Sequence, residues 1–282
     1  MPTARHPLWD AVLREERELI HGFGGFSMQI PGGTMVLNER IPVPRFNFVS
    51  DISVSRHRMA GFFEVVLDQY FQRALRPEFH LPDPPPEHLV TVLERLGFRA
   101  RQEPRSVLLF DRTVPAPEID RTHEVRAARP EELATVVDFW SNTREREELA
   151  RHLEVLWEHP NPEEEILPVL AFEEGRPASA AVLHRFRGIW GLHAVATQPE
   201  ARGRGAASTL VHAAIREILP DGAAPVAARS DHPRIRHRLE RLGFHEIVRL
   251  RIFELDPKAE LSFPRGPELA SPPRWRPSRS RS

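Results

Sequence analysis

The stretch Leu192 to Leu219, LHAVATQPEARGRGAASTLVHAAIREIL, constrains this chain more than any other. An apolar strand through Val195 runs into a turn at Gln198 and Pro199, and the run Arg202-Gly203-Arg204-Gly205-Ala206-Ala207 then leads into a helix. At such a turn the first backbone NH groups of the helix have no internal acceptor and project from its positive end. They form a site for a phosphate or pyrophosphate. Close approach to that backbone needs residues with little side chain, which Gly203, Gly205, Ala206 and Ala207 supply. Arg202 and Arg204 add positive charge beside it.

The run has the form R-x-x-G-x-A. It resembles the acyl-CoA-binding motif of the GNAT superfamily, the acetyl-CoA-dependent N-acetyltransferases, whose pattern is Gln or Arg, two residues, Gly, one residue, then Gly or Ala. Arg202, Gly205 and Ala207 fall on its three defined positions. The strand before, the helix after and the R-L-G-F segment at Arg241 to Phe244 stand where the superfamily has them, and the order of strands and helices agrees from Val125 to Leu255. The resemblance implies acetyl-CoA as acyl-donor cosubstrate. It would be held by Val195, Thr197, Arg202, Gly203, Arg204, Gly205, Ala206 and Ala207.

A second pattern bears on the whole chain. Leu93-Glu94-Arg95-Leu96-Gly97-Phe98 recurs 146 residues later as Leu239-Glu240-Arg241-Leu242-Gly243-Phe244, each time between a helix and a strand. That offset is close to one GNAT-sized domain, so the chain reads as two copies of one architecture. The expected class is α/β (α+β), with two GNAT-like domains, each a mixed, mostly antiparallel central sheet flanked by helices. The expected boundaries are a degenerate GNAT-like domain at 1–112, a linker at 113–122, stiffened by Thr113 to Glu118 (TVPAPE), the N-acetyltransferase domain at 123–257 and a Pro/Arg/Ser tail at 258–282.

The copies differ where chemistry would happen. In the first half the strand-to-helix segment runs from Asn47 to Arg58, and the first glycine after it, Gly61, is followed at once by Phe62 and Phe63. A phosphate would meet charge there but no close backbone cradle. The first half is therefore read as structural, dimerising or substrate-shaping. It opens with an amphipathic helix up to Leu19, ended by the glycine turn His21 to Phe26. Strands are expected at Thr34 to Leu37 and Phe46 to Val54. Met59, Phe62, Phe63, Val66, Leu67 and Tyr70 recur at three- and four-residue steps as the face of a helix, which reads as core.

The resemblance implies that an amine attacks the thioester directly, without a covalent enzyme intermediate. The superfamily's cradle strand carries a bulge and splays from its neighbour, and its backbone NH groups, here around Val195, are the expected oxyanion donors. His193 is the favoured base, because an imidazole with a pKa of about 6.5 accepts a proton at neutral pH. The string Leu192-His193-Ala194-Val195-Ala196 is similar to the His-bearing strand of arylalkylamine N-acetyltransferases. Those enzymes have another His two residues earlier, where this chain has Gly191. Many GNAT enzymes place a general-acid Tyr four residues before the Gly of the G-F segment. Here that position is Leu239, and the one tyrosine, Tyr70, lies in the other half. Ser230, His232 and His237 are the candidate substitutes.

Composition removes other classes. A formal net charge of -1 gives no global field for nucleic acid or membrane. Cysteine is absent, so disulfides, thiolate metal sites and a Cys nucleophile are excluded. There is no apolar run of the ~20 residues that spanning a bilayer needs, and a cytoplasmic location is expected. No H-E-x-x-H, P-loop or G-x-S-x-G occurs, so no metal is expected. The tail from Pro264 carries five Arg against one Glu and reads as solvated. The expected activity is N-acetyl transfer to an amine acceptor in a ternary complex, with a small molecule expected ahead of a protein, and with a homodimer compatible. The alternatives are a non-catalytic acyl-CoA-binding regulatory protein and a transferase of a bulkier acyl or aminoacyl group.

Overall fold

A computed structural model describes residues 6–115, 123–139, 143–158, 163–219 and 224–256, the side chains of 143–145 and 156–158 excepted. In chain order the first half contains α1 (Trp9–Gly22), β1 (Phe26–Ile30), β2 (Gly33–Leu37), β3 (Phe48–Ser50), α2 (Met59–Gln72), β4 (Glu78–Pro82), α3 (Glu87–Arg95), β5 (Phe98–Ala100) and β6 (Arg105–Phe110). The second half continues with β7 (Glu124–Ala127), α4 (Leu133–Asp138), α5 (Thr143–Glu158), β8 (Glu164–Glu173), β9 (Arg176–Phe186), β10 (Ile189–Thr197), α6 (Ala206–Ala213), β11 (Val226–Ser230), α7 (Pro233–Arg241) and β12 (Phe244–Leu255). Both halves are mixed α/β with mostly antiparallel strands. Most of the expected linker and the expected tail lie outside the described residues.

These elements form two compact units that are not consecutive in sequence. Among the described residues, one comprises those from 6 to Gly24 with those of Arg105–Arg249, and the other those of Gly25–Pro104 with residues 250–256. The expected boundaries at 112 and 123 divide the chain differently. Helix α1 and strand β6 precede them yet belong with the second half, and residues 250–255 follow them yet belong with the first.

In the unit holding β1 to β5, β2 is antiparallel to β1 and β3, and β3 is parallel to β4. On its other side β4 pairs antiparallel with residues 250–254 of β12. The apolar face of α2, Phe62, Phe63, Val66, Leu67 and Tyr70, packs with Met35, Leu37, Val49 and Phe79, so the stripe is core as its period requires. The Tyr70 hydroxyl sits 2.7 Å from the carbonyl oxygens of both Val36 and Phe48. Burial pushes its pKa well above the usual tyrosine value. It pins a helix to two strands. Strand β3 is shorter than expected, because Asp51 at φ 55° breaks the extended run.

In the other unit the strand order is β7-β8-β9-β10-β11-β6. Strands β8, β9 and β10 pair antiparallel, β10 and β11 parallel, and β11 and β6 antiparallel. Helix α6 buries Leu210 and Val211 against Val169, Leu183, Trp190 and Val226. Helix α1 lies against β9 and β10.

The two units repeat one plan. In each, an antiparallel pair (β2–β3 or β9–β10) is followed by a helix (α2 or α6), a parallel return strand (β4 or β11) and a second helix (α3 or α7). The repeated hexapeptide marks the same joint in both: Gly97 at φ 85° and Gly243 at φ 102° turn the helix into the next strand through backbone that favours glycine. The far edge of each return strand is paired by a strand from the opposite half, β6 beside β11 and residues 250–254 beside β4. Such an edge left open would offer unpaired NH and C=O groups. Exchange of closing strands explains why the compact units interleave.

Candidate active site

The cradle begins in β10. Its pairing with β9 holds to His193↔Val182 and resumes at Ala196↔Ala180, so Ala194 and Val195 oppose the single residue Ala181. This is a β-bulge, and Ala194 takes φ 50° to make it. On the other side the pairing with β11 ends at Leu192↔Ala228, while the next β11 residues, Arg229 and Ser230, pair with β6. The parallel strands therefore part at His193. Val195 lies just past that point and is 40% exposed.

The turn that follows brings the predicted cradle residues together. Thr197 Oγ1 is 3.1 Å from Ser179 Oγ. Arg202, Gly203, Arg204 and Gly205 are exposed, and Gly203 (φ 83°) and Gly205 (φ 86°) take left-handed conformations that favour glycine. Gly205 caps α6 at its N-terminus. A Cβ at either glycine would meet nothing within 4 Å, so the space over them is open. Ala207 is half-buried, whereas Ala206 turns its methyl inward against Ala178 and Ala201, and only its backbone is left to contribute. Arg202 Nε donates to the Thr197 carbonyl at 3.3 Å. Arg204 donates to the Glu200 carbonyl and pairs with Glu173 at 2.9 Å. Glu173 is thus a partner of the cradle.

At the parting of β10 and β11 stands His193, part-buried, its Nε2 2.7 Å from Oε1 of Glu15 on α1. Glu15 is fully buried and continues the array: its Oε1 is 2.9 Å from His184 Nδ1, whose Nε2 is 3.0 Å from Glu164 Oε1. His152 Nε2 lies 3.4 Å from the same Glu164 oxygen. Arg229 of β11 approaches Glu15 Oε2 at 3.5 Å, pairs with Glu16 and donates to the Val12 carbonyl. Burial by itself would raise the Glu15 pKa. The charge of His193, hydrogen bonds from both histidines and the charge of Arg229 outweigh it and hold the carboxyl well below the usual range. His184 shows the converse. Burial opposes its charge, but its hydrogen bonds to Glu15 and Glu164 push its pKa up to about 9. Glu15, His184 and His193 offer three ligand atoms within 4.8 Å of one another, as do His152, Glu164 and His184. The N–O contacts within both groups lie at or near hydrogen-bond distance, as in an array of hydrogen-bonded ion pairs.

Where the superfamily often has its Tyr, Leu239 is buried in the core below α7. The candidate substitutes are engaged elsewhere. His232 caps α7 by accepting from the Arg234 NH, and Ser230 bonds to the His232 backbone. His237 is exposed beside Glu240.

The sequence gives no direct sign of Glu15 or His184, and at Gly191 it shows only the lack of a second His. Glu15 follows Val12 by three and precedes Leu19 by four, so a carboxylate on the apolar stripe of α1 was the available signal. Gly191 permits the contact, since a Cβ there would overlap both Glu15 Oε1 and His193 Nε2.

Comparison with known proteins bears on the family and the fold. Residues 132–244 match the model of the acetyltransferase (GNAT) family. No curated protein matches the chain in sequence. Among solved structures, a GCN5-related N-acetyltransferase from Kribbella flavida is similar at 15% identity and a TM-score of 0.63, over 88% of this chain and 96% of that one. A GCN5-related N-acetyltransferase from Sphaerobacter thermophilus is similar at 17% identity and a TM-score of 0.57, covering 82% of each chain. A tandem GNAT protein from the clavulanic acid biosynthesis pathway is similar at 14% identity and a TM-score of 0.53, over 81% of this chain and 80% of that one. At these identities the likeness is one of fold. Among the described residues no helix is long and apolar enough to cross a membrane.

Proposed function

We propose, from the match of residues 132–244 to the acetyltransferase (GNAT) family and the likeness of the fold to that of a tandem GNAT protein, that the chain moves an acetyl group from acetyl-CoA to an amine by direct attack in a ternary complex. One observation carries the reading: the bulge and parting of β10 lead directly into the exposed left-handed turn that opens α6. Bound acetyl-CoA supplies the thioester to be attacked. The NH groups at the start of α6 receive the pyrophosphate, with the charge of Arg202 beside it. The backbone of β10 past His193, unpaired with β11, receives the pantetheine arm. The NH groups around Val195 stabilise the oxyanion as the amine lone pair forms the new C–N bond. His193 takes the proton the attacking ammonium must lose. The C–S bond then breaks, the new amide nitrogen gives its second proton to water, and the thiolate takes a proton from water, since a thiol of pKa about 8.5 is a fair leaving group. No side chain is assigned as acid.

The test is calorimetric titration of the protein with acetyl-CoA, comparing Gly205→Ala with Gly205→Glu. Both variants meet the same left-handed backbone cost, and the Ala Cβ enters open space. Only Glu adds bulk and negative charge at the anion site. Saturable binding retained in Gly205→Ala and lost in Gly205→Glu is the expected result, with acetyl transfer to a small-amine panel following from the parent protein. A parent protein that binds acetyl-CoA yet acetylates nothing would favour the regulatory reading.

A further inference from the structure

We propose that Glu15, carried by the N-terminal helix, is the positioning residue of the proton acceptor: it takes the Nε2–H of His193 and leaves Nδ1 as the nitrogen that receives the proton. The inference rests on the reading of His193 as base and adds to it the atom that acts and the residue that fixes it. An ionised carboxylate only accepts hydrogen bonds. His193 Nε2, 2.7 Å from Oε1 of a fully buried Glu15, therefore carries a hydrogen, and in the neutral ring the lone pair is on Nδ1. Ionisation of Glu15 is secured by the groups around it. His184 from β9 and Arg229 from β11 face its two oxygens, with Glu16 on α1 and Glu164 on β8 pairing those cations in turn.

The helix that brings Glu15 is firmly held. Trp9, Val12, Leu13, Leu19 and Ile20 are buried, and Arg229 Nη2 donates to the Val12 carbonyl at 2.8 Å. Gly191, on β10 two residues before His193, leaves the space in which carboxylate and ring meet. A buried ion pair is weak evidence for stability, because desolvation offsets much of its attraction. A role at the edge of the cradle accounts for a carboxylate in this place. In the reaction one proton moves from the ammonium to Nδ1. The Nε2–H stays with Glu15, which remains ionised and stabilises the imidazolium.

The experiment uses the full chain with 15N-labelled histidine and reads tautomers from long-range proton–nitrogen correlations, alongside turnover with an amine found in the panel and the acetyl-CoA dissociation constant. Neutral His193 in the parent protein is expected as the Nε2–H form. Glu15→Ala should give a mixture of tautomers and lower kcat by about tenfold or more, with acetyl-CoA affinity within about twofold. Glu15→Gln, whose amide oxygen still accepts, should restore the Nε2–H form and turnover above that of Glu15→Ala. Gly191→Ala tests the same contact without removing a charge or emptying the core, and should match Glu15→Ala. An Nδ1–H form in the parent protein overturns the proposal. So does full turnover in Glu15→Ala and Gly191→Ala while His193→Ala is slow, which leaves the base reading standing. Full turnover in His193→Ala removes the base and its positioning together.

Discussion

His184 is the residue whose environment most clearly predicts a pH response. Both ring nitrogens face carboxylate oxygens, at 2.9 and 3.0 Å, an arrangement that only the imidazolium satisfies fully. Its pKa rises from 6.5 to about 9, while the nearby His152 ring and the hydrogen bond from His184 outweigh burial and pull Glu164 from 4.5 to about 2. A raised folded pKa gives stability that is complete below the unfolded value and is lost as pH climbs through the folded one. The His184 contribution is therefore full below pH 6.5 and gone above about 9, and the Glu164 contribution is full above pH 4.5 and fades toward 2. Melting temperatures of the parent protein and His184→Gln should differ most near pH 6 and converge as pH rises past 9. A constant gap across that range would mean that His184 is held neutral. None of this was legible in the sequence. A lone His at the end of an apolar strand and one Glu in the charged run of α1 lie 169 positions apart and share no local pattern.

Strand β10 is the element on which the cradle depends, and its bulge depends on Ala194 at φ 50°. A β-branched residue is strongly disfavoured there. Ala194→Val should drive the strand back to regular pairing and, by displacing a backbone contact, weaken acetyl-CoA binding by about tenfold or more. Circular dichroism should stay unchanged, since the long β8–β9 ladder is untouched. Ala194→Gly should bind like the parent. Equal binding by both variants would show that the bulge has no part in the site. At this scale sequence reading did well. The strand, the Gly-rich turn, helix α6 and the closing joint at Gly243 each carry their own periodicity or turn chemistry. It failed where local signal conflicts with tertiary role. Strand β4, Glu-Phe-His-Leu-Pro, is buried at all but its last position, yet its polar residues and the prolines that follow argue against an inner strand.

The duplication was legible at the scale of the whole molecule, because the repeated hexapeptide records it, but the exchange of segments was not. A strand's hydrophobic run says that it is buried and not which edge it closes. The exchange makes a prediction about dissection. If the chain were two consecutive domains, cutting it within 116–122 would release two folding halves. The observed units require otherwise. The C-terminal half alone would lose β6, whose Val107, Leu108, Leu109 and Phe110 are all buried, and α1, which buries five apolar side chains. At about 1.5–3 kcal/mol for each fully buried large side chain, either loss approaches the ~5–15 kcal/mol that stabilises a whole domain. The open edge of β11 would also invite aggregation. We expect residues 1–115 and 123–282 to lack cooperative unfolding when produced separately. Produced together, they should co-purify as one complex that melts cooperatively and binds acetyl-CoA. A C-terminal half that folds and binds acetyl-CoA alone would show that α1 and β6 are accessories to the cradle. The proton acceptor would then have to work without Glu15, so dissection of the chain also bears on which half supplies the chemistry.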